Sequence, residues 1–182
     1  APAVTDRNLV NTMLTGGPSD DFGNIGHSTA ISTDELEVPV FPASTTLTVD
    51  AATIAVATVN LDTFTLVDAS TASQLFTFNS ANDLSTPAGN IGIASAVDGN
   101  GNDFATRIKA SIDASGLDIT TTITTAGGIA LDSVLTLIQG GGGSGGNTVV
   151  DMTTVDGVSG TDFTGGATFQ ASLAFPSVPL RK

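Results

Sequence analysis

The sequence predicts an α+β fold that is mainly β: an antiparallel sheet or sandwich with one packed helix and a long extended N-terminal arm. Short runs rich in Val, Ile, Thr and Phe recur between residues 45 and 175, and such residues favour strands. A single segment, at about 103–115, has the spacing of an amphipathic helix. Because strand-like runs lie on both sides of this helix, a helix packed on a mainly antiparallel sheet is favoured over alternating βαβ units.

Residues 1–44 are predicted to form the extended arm. They are polar, acidic, and interrupted by Gly and Pro, and neither a helical nor a strand period persists across them. Apolar residues occur at wide intervals along this segment, a pattern suited to docking on a neighbouring molecule. The candidate partner-contact residues are Leu9, Met13, Leu14, Phe22, Ile25, Val38, Val40 and Phe41.

Residues 45–175 are predicted to form a β-rich body, and residues 176–182 a C-terminal tail. Ahead of the helix, strand-like runs occupy 45–50, 53–59, 63–68 and 73–79. In the last of these, Phe76 and Phe78 fall on one face of the strand, as the period of two requires. The run 53–59 lacks such alternation and is interpreted as a strand buried on both faces.

The helix prediction rests on the segment "DFATRIKASIDASG" at 103–116. Its large apolar residues recur at i, i+4 and i+8, so they form one stripe that would face the sheet. Asn102 or Asp103 is expected to cap the start of the helix, and Gly116 its end. The stripe consists of Phe104, Ile108 and Ile112.

Further strands are predicted after the helix, and a glycine tract lies among them. The tract, Gly140–Gly146, reads "GGGGSGG". A phosphate-binding loop would need a helix directly after it and usually a Lys, but the next run is strand-like and no Lys lies between Lys109 and Lys182. A linker between two self-sufficient halves is also disfavoured, because the roughly 36 residues that follow are too few to fold alone. We therefore interpret the tract as a wide turn within one sheet, between predicted strands at 117–125, 132–139, 147–155 and 166–175.

The composition limits the classes of partner. The formal net charge is −13 and there is no basic patch, so nucleic acids and anionic membranes are not expected as partners. No apolar stretch approaches the ~20 residues of a membrane-spanning helix. The first ten residues show no positive region followed by an apolar one, so no signal peptide is expected. The chain contains no Cys, which excludes disulfides and thiolate chemistry.

One candidate metal site stands out, in "DGNGND". Asp98, Asn100 and Asn102 are spaced like the first ligands of an EF-hand, but Asp103 and Lys109 occupy the positions that should hold Gly and Glu. A calcium site of another type would use Asp98, Asn100, Asn102 and Asp103. A turn that leads into a helix cap is the interpretation we favour.

No constellation of residues indicates catalysis. His27 is the only histidine, and it lies in the predicted arm, where preorganisation of a catalytic triad is not expected. The acidic group Asp34, Glu35 and Glu37 contains both glutamates of the chain, but no Trp or Tyr is present to stack on a sugar. The sequence therefore predicts a protein that is not an enzyme and that needs no cofactor.

Several elements together resemble a module of tailed-bacteriophage structural proteins. They are the helix "FATRIKASIDAS", the hairpin "DITTTIT…VLTLIQ", the turn that ends in Gly146-Asn147-Thr148, and Phe163-Thr164-Gly165-Gly166. The resemblance covers roughly residues 45–167. It implies a virion component and supplies no catalytic residues to carry over.

The resemblance, together with the arm, leads to an expectation about function. We expect a capsid decoration or cement protein that is assembled in the cytoplasm of the bacterial host and clamps neighbouring copies of the major capsid protein through its arm. The body is expected to form a homo-oligomer, taken as a trimer. One alternative is a tail tube, baseplate or fibre-base subunit of a phage. A second alternative is a secreted, acidic, calcium-dependent adhesin.

Overall fold

The computed structural model of the chain describes residues 40–83 and 89–168. In these residues, strands predominate and a single long helix is present. The strands are β1 (Val40–Val49), β2 (Thr63–Val67), β3 (Ser73–Asn79), β4 (Asn90–Gly92), β5 (Ile119–Thr125), β6 (Ser133–Gly142), β7 (Val158–Gly160) and β8 (Ala167–Thr168). The helices are α1 (Val56–Val59), α2 (Gly101–Ala114) and a short 3-10 helix (Ser144–Gly146).

The strands form two sheets. In the first, the order is β5-β6-β1-β7, and β8 pairs with the beginning of β1 on the β7 side; all of these pairs are antiparallel. The second sheet has the order β2-β3-β4, with an antiparallel hairpin and a parallel pair between β3 and the short β4. The predicted fold class, mainly β with antiparallel sheets and one packed helix, is confirmed.

The alternation of side chains along β1 and β6 determines which face of the first sheet is buried. Leu47 lies opposite Leu135, and both are fully buried, while the residues between the buried positions point to solvent. Helix α2 packs on the buried face, against β5, β6 and β1. This sheet therefore has one face in the core and one face exposed, as is common for antiparallel sheets.

The β2–β3 hairpin contributes the aromatic part of the core. Phe76 and Phe78 are buried on one face of β3, as predicted, whereas Leu75 on the other face is about half exposed. Phe64 of β2 stacks on Phe76 with a ring-centroid distance of 5.0 Å and an interplanar angle of 16°. Such a pair adds about 0.5–1.5 kcal/mol beyond the burial of its area.

Helix α2 begins two residues before the predicted start, and the cap prediction was wrong. The Asn100 side chain, not that of Asn102 or Asp103, accepts a hydrogen bond at the helix N-terminus, from the Asp103 N–H at 3.2 Å. The end was predicted correctly, because Gly116 follows the last turn with φ of +78°, a conformation that favours glycine. The predicted stripe is buried in full: Phe104, Ile108 and Ile112.

Two predicted strands are absent. Residues 53–59 instead form turns and the single-turn helix α1, because Asp50 O accepts from Ile54 N at 2.9 Å and Asp98 Oδ1 accepts from Val56 N at 2.7 Å. The Asp50 carbonyl is close in sequence and the Asp98 carboxylate is 42 residues away, and together these acceptors outweigh the strand propensity of the β-branched residues. Residues 147–155 contain only an isolated bridge, between Asp151 and Thr65 of β2.

The predicted boundary between arm and body falls inside a strand. β1 begins at Val40, five residues before the predicted start of the body at residue 45, and its first two residues pair with β8. Strands β4 and β7 were not predicted; each is three residues long, too short to show an alternating pattern. The predicted strand at 166–175 is represented by β8, and its remainder lies outside the described residues.

Candidate interaction surfaces

The four residues proposed for calcium lie at the N-terminus of α2, where the protein's own N–H groups engage most of their side chains. Asp98 Oδ1 accepts from the Val56 N–H at 2.7 Å, and Asn100 Oδ1 accepts from the Asp103 N–H at 3.2 Å. Asn102 lies in the first turn of the helix and is half-buried. These contacts are those of a turn that leads into a helix cap, the interpretation favoured from the sequence.

Asp103 is engaged on both of its oxygens. Its Oδ2 accepts from the Val97 N–H, and its Oδ1 pairs with Arg107 Nε, both at 2.9 Å. Arg107 also binds Asp83 at 2.9 Å and the Gly92 carbonyl at 2.8 Å, so it joins α2 to β4 and to the segment before residue 84. Across residues 40–83 and 89–168, the structure contains no group of three or more His, Cys, Asp or Glu that could hold a metal ion.

Two of the eight predicted partner-contact residues lie in the described part of the chain. Val40 and Phe41 begin β1, and they are 49% and 53% exposed. Their exposure leaves apolar surface at the place where the chain enters the sheet. Outside the described residues lie Leu9, Met13, Leu14, Phe22, Ile25 and Val38, as well as His27, Asp34, Glu35, Glu37 and the predicted tail.

The glycine tract is part of the first sheet. Gly140–Gly142 are the last residues of β6, and Gly143 has φ of +92°, which turns the chain into the 3-10 helix. The Gly143 N–H donates to Phe41 O at 3.0 Å. The tract thus closes the end of β6 against the beginning of β1, as expected for a turn within one sheet, although no strand follows it directly.

Close packing explains why glycine is used in this tract. A Cβ at Gly142 would overlap the Val40 side chain, and a Cβ at Gly146 would lie 3.3 Å from Ala43. The following 22 described residues contain no α-helix, so the tract lacks the helix that a phosphate loop uses. The glycines of the tract therefore allow the neighbouring strands to approach closely.

A buried polar cluster, not predicted from the sequence, joins the two sheets. Gln139 of β6 is 1% exposed; its Oε1 accepts from the Ala69 N–H at 2.8 Å, and its Nε2 donates to Val67 O at 3.0 Å and to Thr148 Oγ1 at 3.3 Å. Thr148 Oγ1 also donates to Val67 O, at 2.8 Å. These bonds attach the β2–β3 turn to the end of β6, and they leave the Gln139 amide fully used for structure.

Asp68 extends this cluster. It is 3% exposed, and its carboxylate accepts from Ser70 N, Ser70 Oγ, Ala72 N and Asp118 N at 2.7–3.1 Å. The Ser70 hydroxyl has the largest effect in holding the pKa of Asp68 below its usual value; burial opposes it, and the N–H groups of Asp118, Ala72 and Ser70 add to it. The pattern Asp-x-Ser directly after a strand is a turn signal, and it could have indicated this site.

The exposed face of the first sheet carries no charge. Its central residues, here named the outer face, are Thr46, Thr48, Thr120, Thr122, Thr136 and Ile138. Thr136 of β6 lies opposite Thr46 of β1 on one side and Thr122 of β5 on the other, so three threonines cross the sheet in one row. None of the described strands contains an Asp, Glu, Lys or Arg, and the aspartates of residues 40–83 and 89–168 lie in turns, loops and α2.

A second exposed feature is the hydrogen-bonded loop between β5 and β6. Ile129 and Leu131 are 72% and 63% exposed, and Ala130 between them has φ of +58°, an uncommon conformation for a residue other than glycine. The Ala130 N–H donates to Gly99 O at 2.8 Å, which holds the loop against the turn that precedes α2. The loop therefore presents two large aliphatic side chains to solvent beside the turn that precedes α2.

Comparison of the chain with protein-family models, with curated proteins and with solved structures found no match. No helix in the described residues is long and apolar enough to cross a membrane.

Proposed function

We propose that this protein is a non-enzymatic structural component of a tailed-bacteriophage virion, and that it decorates and reinforces the capsid. In this proposal the body forms a homo-oligomer, taken as a trimer, in which the first 39 residues of each copy lie across neighbouring subunits of the major capsid protein. Assembly takes place in the cytoplasm of the bacterial host. The motifs between residues 45 and 167 that resemble the phage module support this proposal.

The observation that carries the proposal is the way the chain enters the body. β1 is an inner strand: β6 pairs with it on one side, and β7 and β8 pair with it on the other. Ser44 adds two backbone bonds to Thr164, at 2.9 and 3.0 Å, between the positions of β8 and β7. The segment that would bind the capsid is thus continuous with the most extensively bonded strand of the first sheet.

This arrangement suits a mechanical function. Hydrogen bonds of an antiparallel pair lie perpendicular to the strands, so a pull along β1 loads many of them together. A terminal hairpin strand pulled from one end would instead lose its bonds one after another. An attachment segment that precedes an inner strand can therefore transmit force to the whole sheet, as a capsid-reinforcing protein requires.

Attachment to the capsid through many weak contacts is consistent with the same proposal. Several short apolar anchors along one arm act at high effective concentration once the first has bound, so the total affinity exceeds that of each contact. Val40 and Phe41 extend the row of anchors onto the exposed start of β1. Burial of their remaining surface would add to the attachment energy, which must offset the entropy of ordering the arm.

The first test removes residues 1–39, since β1 begins at Val40. We expect the truncated protein to retain its cooperative unfolding transition and to lose binding to empty capsids of the phage that encodes it, measured by co-sedimentation. Full decoration by the truncated protein would contradict the proposal. Rings or long tubes formed by the intact protein alone, together with no capsid binding, would favour a tail component.

A matched pair of substitutions tests the role of β1. Phe41→Ser should weaken capsid binding about tenfold, because burial of roughly half a Phe side chain contributes about 1.4 kcal/mol. Leu75→Ser is the control, since Leu75 is 52% exposed but lies on the second sheet. Equal effects of the two substitutions would show that Phe41 has no special part in attachment.

A further inference from the structure

We infer that the outer face is the surface through which two copies of this chain pair, face to face. The inference deepens the proposed function, on which it rests for the expectation of a homo-oligomer, and it names the surface that the copies share.

Charge restricts where two copies can approach. Each chain has a formal net charge of −13, so most pairs of surfaces would bring carboxylates together. Arg107 and Lys109 are the only cations of residues 40–83 and 89–168, and both already pair with aspartates of the same chain. A surface without charge avoids this repulsion, and the centres of protein interfaces are depleted in charged residues.

The borders of the outer face are marked by carboxylates. Asp118 precedes β5 at one end of the sheet, while Asp50 follows β1 and Asp132 precedes β6 at the other end. Between these ends, the strands offer an uncharged surface about the length of β5. Two such surfaces can therefore meet at their centres while their acidic borders remain in solvent, where counterions screen them.

The side chains of the outer face suit the packing of one sheet on another. Threonine presents a methyl group and a hydroxyl from a stiff, branched Cβ, so little side-chain entropy is lost on association. Stacked sheets lie about 10 Å apart, a spacing that two layers of such side chains fill. The row Thr46, Thr136 and Thr122 supplies hydroxyls that can pair across the contact, and Ile138 supplies apolar surface.

Pairing through the same surface fixes the symmetry. A patch that contacts an identical patch is related to it by a two-fold axis, so the contact produces an even number of copies. The axis is expected near Thr136, because β6 is flanked by β5 and β1. A trimer contains no such contact; face-to-face pairing of two trimers would give six copies.

The test measures the mass of the full-length protein by analytical ultracentrifugation. We expect an even number of chains, each of 18.1 kDa, and stronger association at higher salt, because salt screens the overall repulsion while the contact itself contains no ion pair.

Thr136→Lys should halve the number of copies. Thr106→Lys is the control, since Thr106 is exposed on α2, which covers the opposite face of the sheet. A monomer or a trimer of the intact protein at ~100 μM would overturn the inference, as would unchanged pairing of folded Thr136→Lys.

Introduced cysteines give a second measurement, because the chain has none of its own. Under mild oxidation, Thr136→Cys should form a disulfide-linked dimer in high yield, since its position is expected near the two-fold axis, and Thr106→Cys should not. Equal yields from the two variants would contradict the inference. Both measurements use the protein alone: intact pairing with no capsid binding would count only against the proposed function, and capsid binding without pairing only against this inference.

Discussion

Removal of the Asp68 carboxylate should destabilise the protein more than removal of any exposed carboxylate. Asp68 is 3% exposed and accepts four hydrogen bonds, three within its own turn and one from the Asp118 N–H. At a net value of about 1 kcal/mol for each bond, Asp68→Ala should lower the free energy of unfolding by about 4 kcal/mol. With a urea m-value of about 2 kcal/mol/M, this corresponds to a fall of about 2 M in the denaturation midpoint.

Asp68→Asn keeps one acceptor oxygen and should lose only the bond to Asp118, a cost of about 1–2 kcal/mol. Asp151→Ala is the matched control, because Asp151 makes the same type of turn, accepting from Thr153 N at 3.1 Å and from Thr153 Oγ1 at 2.7 Å, but lies exposed. Its effect on the midpoint should be clearly smaller. If the Asp68→Ala and Asp151→Ala midpoints coincide, burial does not strengthen the Asp68 turn and the reasoning is refuted.

Through Asp68, the free energy of unfolding is also expected to depend on pH. Because the pKa of Asp68 is lowered in the folded state, its contribution to stability is complete above the pKa of the unfolded state, about 3.9, and is lost as pH falls through the folded pKa. The difference in unfolding free energy between the intact protein and Asp68→Asn should therefore be constant from about pH 7 to pH 5 and shrink below pH 4. Urea titrations over this range measure it, and a constant difference down to pH 2 would contradict the assignment.

Two further predictions use neighbouring residues as controls. Gly127→Ala should lower the free energy of unfolding by about 1–3 kcal/mol, because its Cβ would overlap the Leu131 and Asp132 carbonyl oxygens, whereas Gly128→Ala should be neutral or slightly stabilising, because nothing lies within 4 Å. Equal midpoints in urea would contradict this packing. Asn100→Ala should lower the free energy of unfolding by about 1 kcal/mol through loss of the α2 cap, while Asn102→Ala should lower it by a few tenths at most. If Asn102→Ala is the more destabilising of the two, Asn102 is the N-cap, as the sequence predicted.

The elements with a clear periodic pattern were determined by the sequence. Helix α2, the hairpin β2–β3 and the strands β5 and β6 have periodic or alternating patterns over five residues or more, and each appears close to its predicted place. The buried positions of α2 and β3 follow the same patterns, because the spacing of side chains on a helix or strand is fixed by the backbone. Fold class depends mainly on the types and order of such elements, and it was therefore predictable.

The tertiary structure decided the features that depend on distant residues. Residues 53–59 have strand propensity, yet the acceptors of Asp50 and Asp98 turn them into a short helix. β1 became an inner strand only through pairing with β6, some ninety residues later in the chain, and with β7 beyond it.

The same distinction, between what the sequence determines and what tertiary structure decides, applies to the candidate surfaces. That the strands lack charge can be read from the sequence, but the joining of Thr46, Thr136 and Thr122 into one row depends on the register of three strands. Gln139 carries no sequence signal at all, because an amide in a strand is ordinary until its partners in a turn 70 residues away are known. Periodicity fixes which way a side chain points along its own element, and only tertiary pairing fixes what lies beside it.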